Sequence, residues 1–232
     1  MANRIPHHFL EAPKETINVS FTDTATGAGI LELFFANTAT ENRLTQTSLY
    51  SHKPFIMSST STSGSYTQLM DKDFDLDFKK SATIEGEALF SLGLLCSNDE
   101  EYNDMKVYSD IIVKKWDGTT ETTIATYTGS SNVINYETGS VQNIIFNNYT
   151  ANLDLPKTTF KSGESLRITI HLYGQSNGTS DLQIAFCCDP KGRVSENEND
   201  KDLSWSAIGG AVSGTGLTGI FTNSTALIPF RV

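Results

Sequence analysis

Residues 164–173, Glu-Ser-Leu-Arg-Ile-Thr-Ile-His-Leu-Tyr, set Leu166, Ile168, Ile170 and Leu172 in strict alternation with Arg167, Thr169, His171 and Tyr173. Successive side chains of an extended chain point to opposite faces, so a period of two predicts a strand with one apolar and one polar face. The rhythm recurs in Leu182, Ile184 and Phe186, in Ile84, Gly86, Ala88, Phe90, Leu92 and Leu94, and in Ile17, Val19 and Phe21. No stretch of similar length holds a helical period. The expectation is an all-β chain, an antiparallel β-sandwich of jelly-roll-like type, with Leu166, Ile168, Ile170, Leu172, Leu182, Ile184 and Phe186 facing the core.

A chain of 232 residues with 38% hydrophobic residues, including 13 Phe and 8 Tyr, has enough apolar material for one large core. Residues 1–15 hold Pro6 and Pro13, which cannot donate to a ladder, and are expected to form an extended N-terminal arm. Residues 16–232 are expected to form a single sandwich domain. Strands are predicted over about 16–22 and 29–36, as a hairpin around Asp23–Gly27, and over 82–96, 105–116, 121–128, 141–155, 164–174, 181–188 and 225–231. Two interruptions stand out. Residues 37–80 are rich in Ser and Thr, with Ser58–Ser65 at the centre, and are expected to be a long exposed insertion with one or two short strands, one near Lys53–Met57. Residues 191–219 are polar and then Gly-rich and read as a second long loop. Trp116-Asp-Gly118 and Lys161-Ser-Gly163 carry turn chemistry.

The formal charge of −10 opposes direct nucleic-acid binding and attraction to anionic membranes. Lys114-Lys115-Trp116 reads as the solvated end of a strand. No apolar run is long enough to span a bilayer, and the first residues carry no secretion signal. Three cysteines, Cys96, Cys187 and Cys188, are an odd and sparse set, which points away from a disulfide framework and towards folding in a reducing cytoplasm.

Four carboxylates at alternate positions, Asp71, Asp73, Asp75 and Asp77, are the candidate calcium ligands, since Ca²⁺ takes six to eight oxygens. The sharp-turn glycine and distal glutamate of a loop site are missing, and Phe74, Leu76 and Phe78 alternate with the acids. A strand with an acidic outer face is the simpler reading. His7, His8, His52 and His171 have no zinc-ligand spacing. Glu85, Glu87, Asp99, Glu100 and Glu101 offer carboxylates for glycoside hydrolysis without selecting a pair. Trp116, Trp205 and the tyrosines are candidates for a sugar-stacking platform, against their commoner role in cores. Neither a nucleophile elbow nor a phosphate-loop spacing occurs, Ile208–Gly219 included. No catalytic residue and no cofactor are therefore expected.

Phe160-Lys-Ser-Gly-Glu-Ser-Leu-Arg-Ile-Thr-Ile170, followed by Leu182-Gln-Ile-Ala-Phe-Cys-Cys-Asp-Pro-Lys-Gly-Arg193 and closing on Leu227-Ile-Pro-Phe-Arg-Val232, resembles β-sandwich virion proteins of tailed viruses. In those a Gly-Glu-x-Leu turn opens a strand and an Asp-Pro-x-x-Arg turn ends the next. The resemblance covers the C-terminal third. It implies a non-enzymatic virion subunit, capsid-associated or tail-associated, made in the host cytoplasm and forming a homo-oligomer or binding other virion proteins such as a major capsid protein. A carbohydrate-binding module of a fibre or adhesin is the alternative, with a glycan as ligand, and a sandwich-fold glycan hydrolase the third.

Overall fold

The computed structural model describes residues 28–38, 40–47, 55–61, 64–97, 104–137, 145–176, 181–188, 190 and 223–231. The predicted arm, the predicted strand 16–22 and the loop 191–219 lie outside them. Twelve strands are present: β1 (Ala28–Asn37), β2 (Asn42–Thr45), β3 (Phe55–Ser61), β4 (Thr67–Asp77), β5 (Ala82–Ser97), β6 (Asp104–Trp116), β7 (Glu121–Tyr127), β8 (Ile134–Glu137), β9 (Ile145–Phe160), β10 (Ser165–Ser176), β11 (Asp181–Cys187) and β12 (Thr225–Arg231). Among the described residues the only helical element is a 3-10 turn at Gly129–Ser131, so no helix there is long and apolar enough to cross a membrane.

The strands follow one path, β3-β11-β5-β12-β1-β2-β4-β10-β6-β7, with β9 on the other edge of β5 and β8 also paired to β6. Every pairing is antiparallel except a single parallel bridge between β2 and β4, Arg43 to Asp75. The path curls until β7 comes alongside β9, which makes a nearly closed, barrel-like sandwich. Its interior is continuous. Phe35 of β1 meets Phe74 of β4 and Phe186 of β11 edge-on, at 4.9 and 5.6 Å between ring centroids. Phe78 packs on Phe160 and Phe230.

The alternation sets the register as expected. Leu166, Ile168, Ile170, Leu172, Ile184 and Phe186 are all buried, while the side chain of Leu182 lies outside the described set. On β5, Ile84, Ala88, Phe90, Leu92 and Leu94 are buried likewise. The turns behave as their residues require: Gly118 and Gly163 take φ of 96° and 89°, which favours glycine. The Gly163–Glu164 turn is stitched to the end of β4 by the Gly163 N–H on Phe78 O and the Phe78 N–H on Glu164 O, both 2.9 Å.

Three features differ from the sequence reading. Residues 37–80 carry β2, β3 and the eleven-residue β4, instead of a loop with one or two short strands, because Met70 and Phe74 bury themselves on the core face of β4 and Phe78 does so just after it. Residues 134–137 add β8. Strand β9 continues through Pro156 to Phe160, beyond the predicted end at 155. The ladder shifts there: Ile84 faces Thr158 and Gly86 faces Leu155, so the proline sits in a bulge where no ladder donor is missed.

The 3-10 turn is clamped against β6 and β9. The Tyr149 hydroxyl donates towards Ser109 O and Gly129 O at 3.3 and 3.4 Å, and the Gly129 N–H donates to Asp110 Oδ1 at 2.8 Å. A Cβ on Gly129 would lie 2.1 Å from Ser109 O and 2.4 Å from Tyr149 Oη. Gly129→Ala should therefore lower stability by about 1–3 kcal/mol, the usual cost of overpacking. Urea unfolding measures this directly, and an unchanged midpoint would contradict the clamp.

Candidate functional site

The outward faces of β4, β10 and β6 form a grid fixed by register. Asp77, Asp75, Asp73 and Asp71 of β4 stand opposite Ser165, Arg167, Thr169 and His171 of β10. Those stand opposite Trp116, Lys114, Ile112 and Asp110 of β6. Each aspartate has a donor across the strand. Ser165 Oγ donates to Asp77 Oδ1 at 2.7 Å, and Thr169 Oγ1 donates to Asp73 Oδ1 at 2.5 Å. His171 Nε2 lies 3.3 Å from Asp71 Oδ1. Arg167 holds Asp75 with two bonds, Nε to Oδ1 at 2.7 Å and Nη2 to Oδ2 at 2.6 Å.

Arg167 is the centre of this face. Its Nη1 also donates to Glu121 Oε1 of β7 and lies 3.6 Å from Asp73 Oδ2, while its guanidinium stacks 4.8 Å from the Trp116 ring centroid. Asp75 and Glu121 stabilise the cation and raise its pKa further above the ordinary value. Lys114 completes the network with Glu121 at 2.9 Å. Lys115 pairs with Glu164 at 2.6 Å, and the Lys115 ammonium and the Lys161 N–H lower the Glu164 carboxyl below its ordinary value. Lys114-Lys115-Trp116 is thus an ion-paired strand end.

The four aspartates do not converge. Same-face neighbours on a strand are roughly 7 Å apart, so four in a row spread over roughly 20 Å, against ion–oxygen distances of about 2.4 Å for calcium. No group of three or more His, Cys, Asp or Glu among the described residues is placed to hold a metal. Of the other sequence candidates, Glu85 lies with Oε2 3.3 Å from Arg231 Nη1, and Glu87 accepts a 2.9 Å bond from Asn152 Nδ2. Asp99, Glu100, Glu101, His7, His8, His52 and Trp205 lie outside the described residues. Cys96, Cys187 and Cys188 are buried, and burial pushes the Cys187 thiol well up.

Beyond His171 the character of the face changes. Tyr173 and Tyr108, opposite in register, stack with centroids 4.8 Å apart and planes at 14°. Tyr66, just before β4, packs edge-on against Tyr108 at 4.9 Å and keeps 38% of its surface exposed. Partial burial and the nearby Asp110 charge raise both the Tyr108 and the Tyr173 phenol above the ordinary value. Tyr108 and Tyr173 sit at polar positions of their strands, but the closeness of Tyr66 is a product of the fold.

No protein-family model and no curated protein sequence matches the chain. Among solved structures, it is similar to a CocE/NonD family hydrolase from Staphylococcus aureus, at 12% identity and a TM-score of 0.47, over 89% of this chain and 37% of that one. It is also similar to an alpha-amino acid ester hydrolase, at 9% identity and a TM-score of 0.42, over 86% and 36%. The infectious bursal disease virus VP2 subviral particle matches at 11% identity and a TM-score of 0.23, over 88% and 42%. The chain spans little more than a third of the length of these hydrolases, and at such values the likeness carries no function.

Arg167→Met should cost about 1–3 kcal/mol, because it removes charge-assisted bonds from a half-buried network. It should also change the acid branch of the stability profile. Lys114 and Arg167 lower the Glu121 carboxyl below its ordinary 4.5. A depressed folded-state pKa adds stability that is complete above the unfolded value and lost as pH falls through the folded one. Stability of the parent should therefore decline below about pH 4.5, and Arg167→Met should flatten that decline. Parallel slopes for the two proteins would remove Arg167 from the titration.

Proposed function

We propose that the chain is a non-enzymatic virion structural protein, a capsid-associated or tail-associated subunit that binds other virion proteins, a major capsid protein among them, and further copies of itself. The observation that supports this reading is the contrast between two edges of the sheet. Strand β9 is a guarded edge: it contains Pro156 and Lys157, and its carbonyls accept side-chain bonds from the opposite layer, Lys115 Nζ to Thr159 O at 2.8 Å and Asn132 Nδ2 to Thr150 O at 3.2 Å. Proline and lysine are the usual means of keeping an edge from pairing with another chain. Strand β3, at the end of the path, pairs only with β11 among the described residues and has neither charge nor proline in Phe-Ile-Met-Ser-Ser-Thr-Ser. Such an edge is a template for strand addition, in which backbone bonds supply attachment without a special side-chain constellation. Many copies in a particle then make modest contacts effective.

A proline placed on β3 tests this. Neighbouring residues of a strand direct their N–H groups to opposite sides, so of Ser58→Pro and Ser59→Pro one spoils the β11 ladder and the other removes only an outward donor. Each variant is co-produced with a major coat protein, and its cosedimentation with particles is compared with its thermal midpoint. The variant that melts like the parent should fail to cosediment. Full cosedimentation of that stable variant would overturn attachment through β3.

A further inference from the structure

We propose that the Tyr66–Tyr108–Tyr173 cluster, on the outer face of β4, β10 and β6, binds a neutral, hydroxyl-rich ligand, a glycan. Three observations carry this. The first is rigidity combined with exposure. Tyr66 remains 38% exposed, yet it is backed by the Tyr108–Tyr173 stack, and its approach is tied down by the Gly64 N–H on Ser176 O at 3.3 Å. An aromatic side chain fixed in this way offers an apolar surface with little ordering cost on binding.

The second observation is the rim. Gln68 faces Tyr173 in register, and Gln175 faces Lys106 in the next row, all on the outer face. A side-chain amide both donates and accepts, which suits adjacent hydroxyls of a sugar, while the C–H face of a pyranose ring suits a tyrosine ring. The third is charge. Lys106 lies on one side of the rings, and Asp110 of β6 and Asp71 of β4 lie on the other. Strongly anionic ligands such as nucleotides meet those carboxylates on a chain of net charge −10, and no group of three or more His, Cys, Asp or Glu among the described residues is placed to hold a metal ion. A neutral polyol meets neither obstacle and suits the ring surface and the amide rim. Trp116, another of the sequence candidates for such a platform, already has a ring face covered by Arg167.

The test applies the full-length chain to an array of neutral oligosaccharides and then titrates the best-retained one calorimetrically. Binding should be saturable, and Tyr66→Ala should weaken it by about tenfold or more while the protein stays folded at the temperature of the titration. Gln175→Ala, a polar change, should also weaken it and guards against reading a folding defect as a binding defect. Retention of no neutral glycan, or equal affinity of the parent and Tyr66→Ala, would overturn the proposal. The outcome is independent of assembly: Tyr66→Ala should still cosediment with particles, and loss of cosedimentation without glycan binding would mark the cluster as a protein contact instead.

Discussion

Strand β5 is the joint on which the architecture depends, because both of its edges are occupied. Strand β9 runs along one edge from Ala82 to Cys96, and the other is divided between β12, as far as Ser91, and β11, from Leu94 onwards. The gap between those two partners would leave backbone groups unpaired in the core. A buried serine fills it: Gly93 N–H donates to Ser224 Oγ at 2.9 Å, and Ser224 Oγ donates to Cys187 O at 2.6 Å. The junction is tightly packed at Gly93, where a Cβ would approach Cys187 Cβ to 3.0 Å and Asn223 O to 3.2 Å. One hydroxyl thus keeps three strands hydrogen-bonded at their junction, from which the path continues through β11 to β3 in one direction and through β12 to β1 in the other.

Local alternation was legible in the sequence, and pairing order was not. The strands whose apolar faces repeat every second residue, β1, β5, β6, β10, β11 and β12, fall within about two residues of their predicted bounds, as does β7 between its turns. Strand β4 was obscured by its setting. Phe74, Leu76 and Phe78 marked a strand, but the hydroxyl-rich residues before them suggested a loop, and only its partner β10 supplies the burial that decides the matter. Strand β9 runs past its expected end at 155, because Pro156 sits in a bulge at a sheet edge, where no ladder donor is missed. The site divides in the same way. The acidic row and the polar half of residues 165–173 were each visible, but that Asp75 meets Arg167 is a contact between residues 92 apart, which no local pattern encodes.

The two rows are complementary in kind as well as charge. A hydroxyl faces Asp77 and Asp73, a guanidinium faces Asp75, and an imidazole faces Asp71. A row of like charges along one strand would repel, and cross-strand donors remove that penalty locally. This explains why Thr169, on the polar face, is only 1% exposed. Its hydroxyl is satisfied by Asp73 beneath the longer side chains around it, so burial costs no lost hydrogen bond.

The same face is closed at one end and open at the other. Around Arg167 the charged groups already hold one another, and a partner would have to break those bonds before forming its own. Around Tyr66 the side chains offer ring surface and hydrogen-bonding groups to solvent. Both ends are carried by β10 and β6, which pair from Ser165↔Trp116 to Ser176↔Met105 without a register shift. The ion-paired end therefore contributes to recognition indirectly: by fixing the relative position of the two strands, it fixes the tyrosine rings that stand on them. A ligand arriving there meets a surface already in shape, and its binding free energy is not spent on ordering the site.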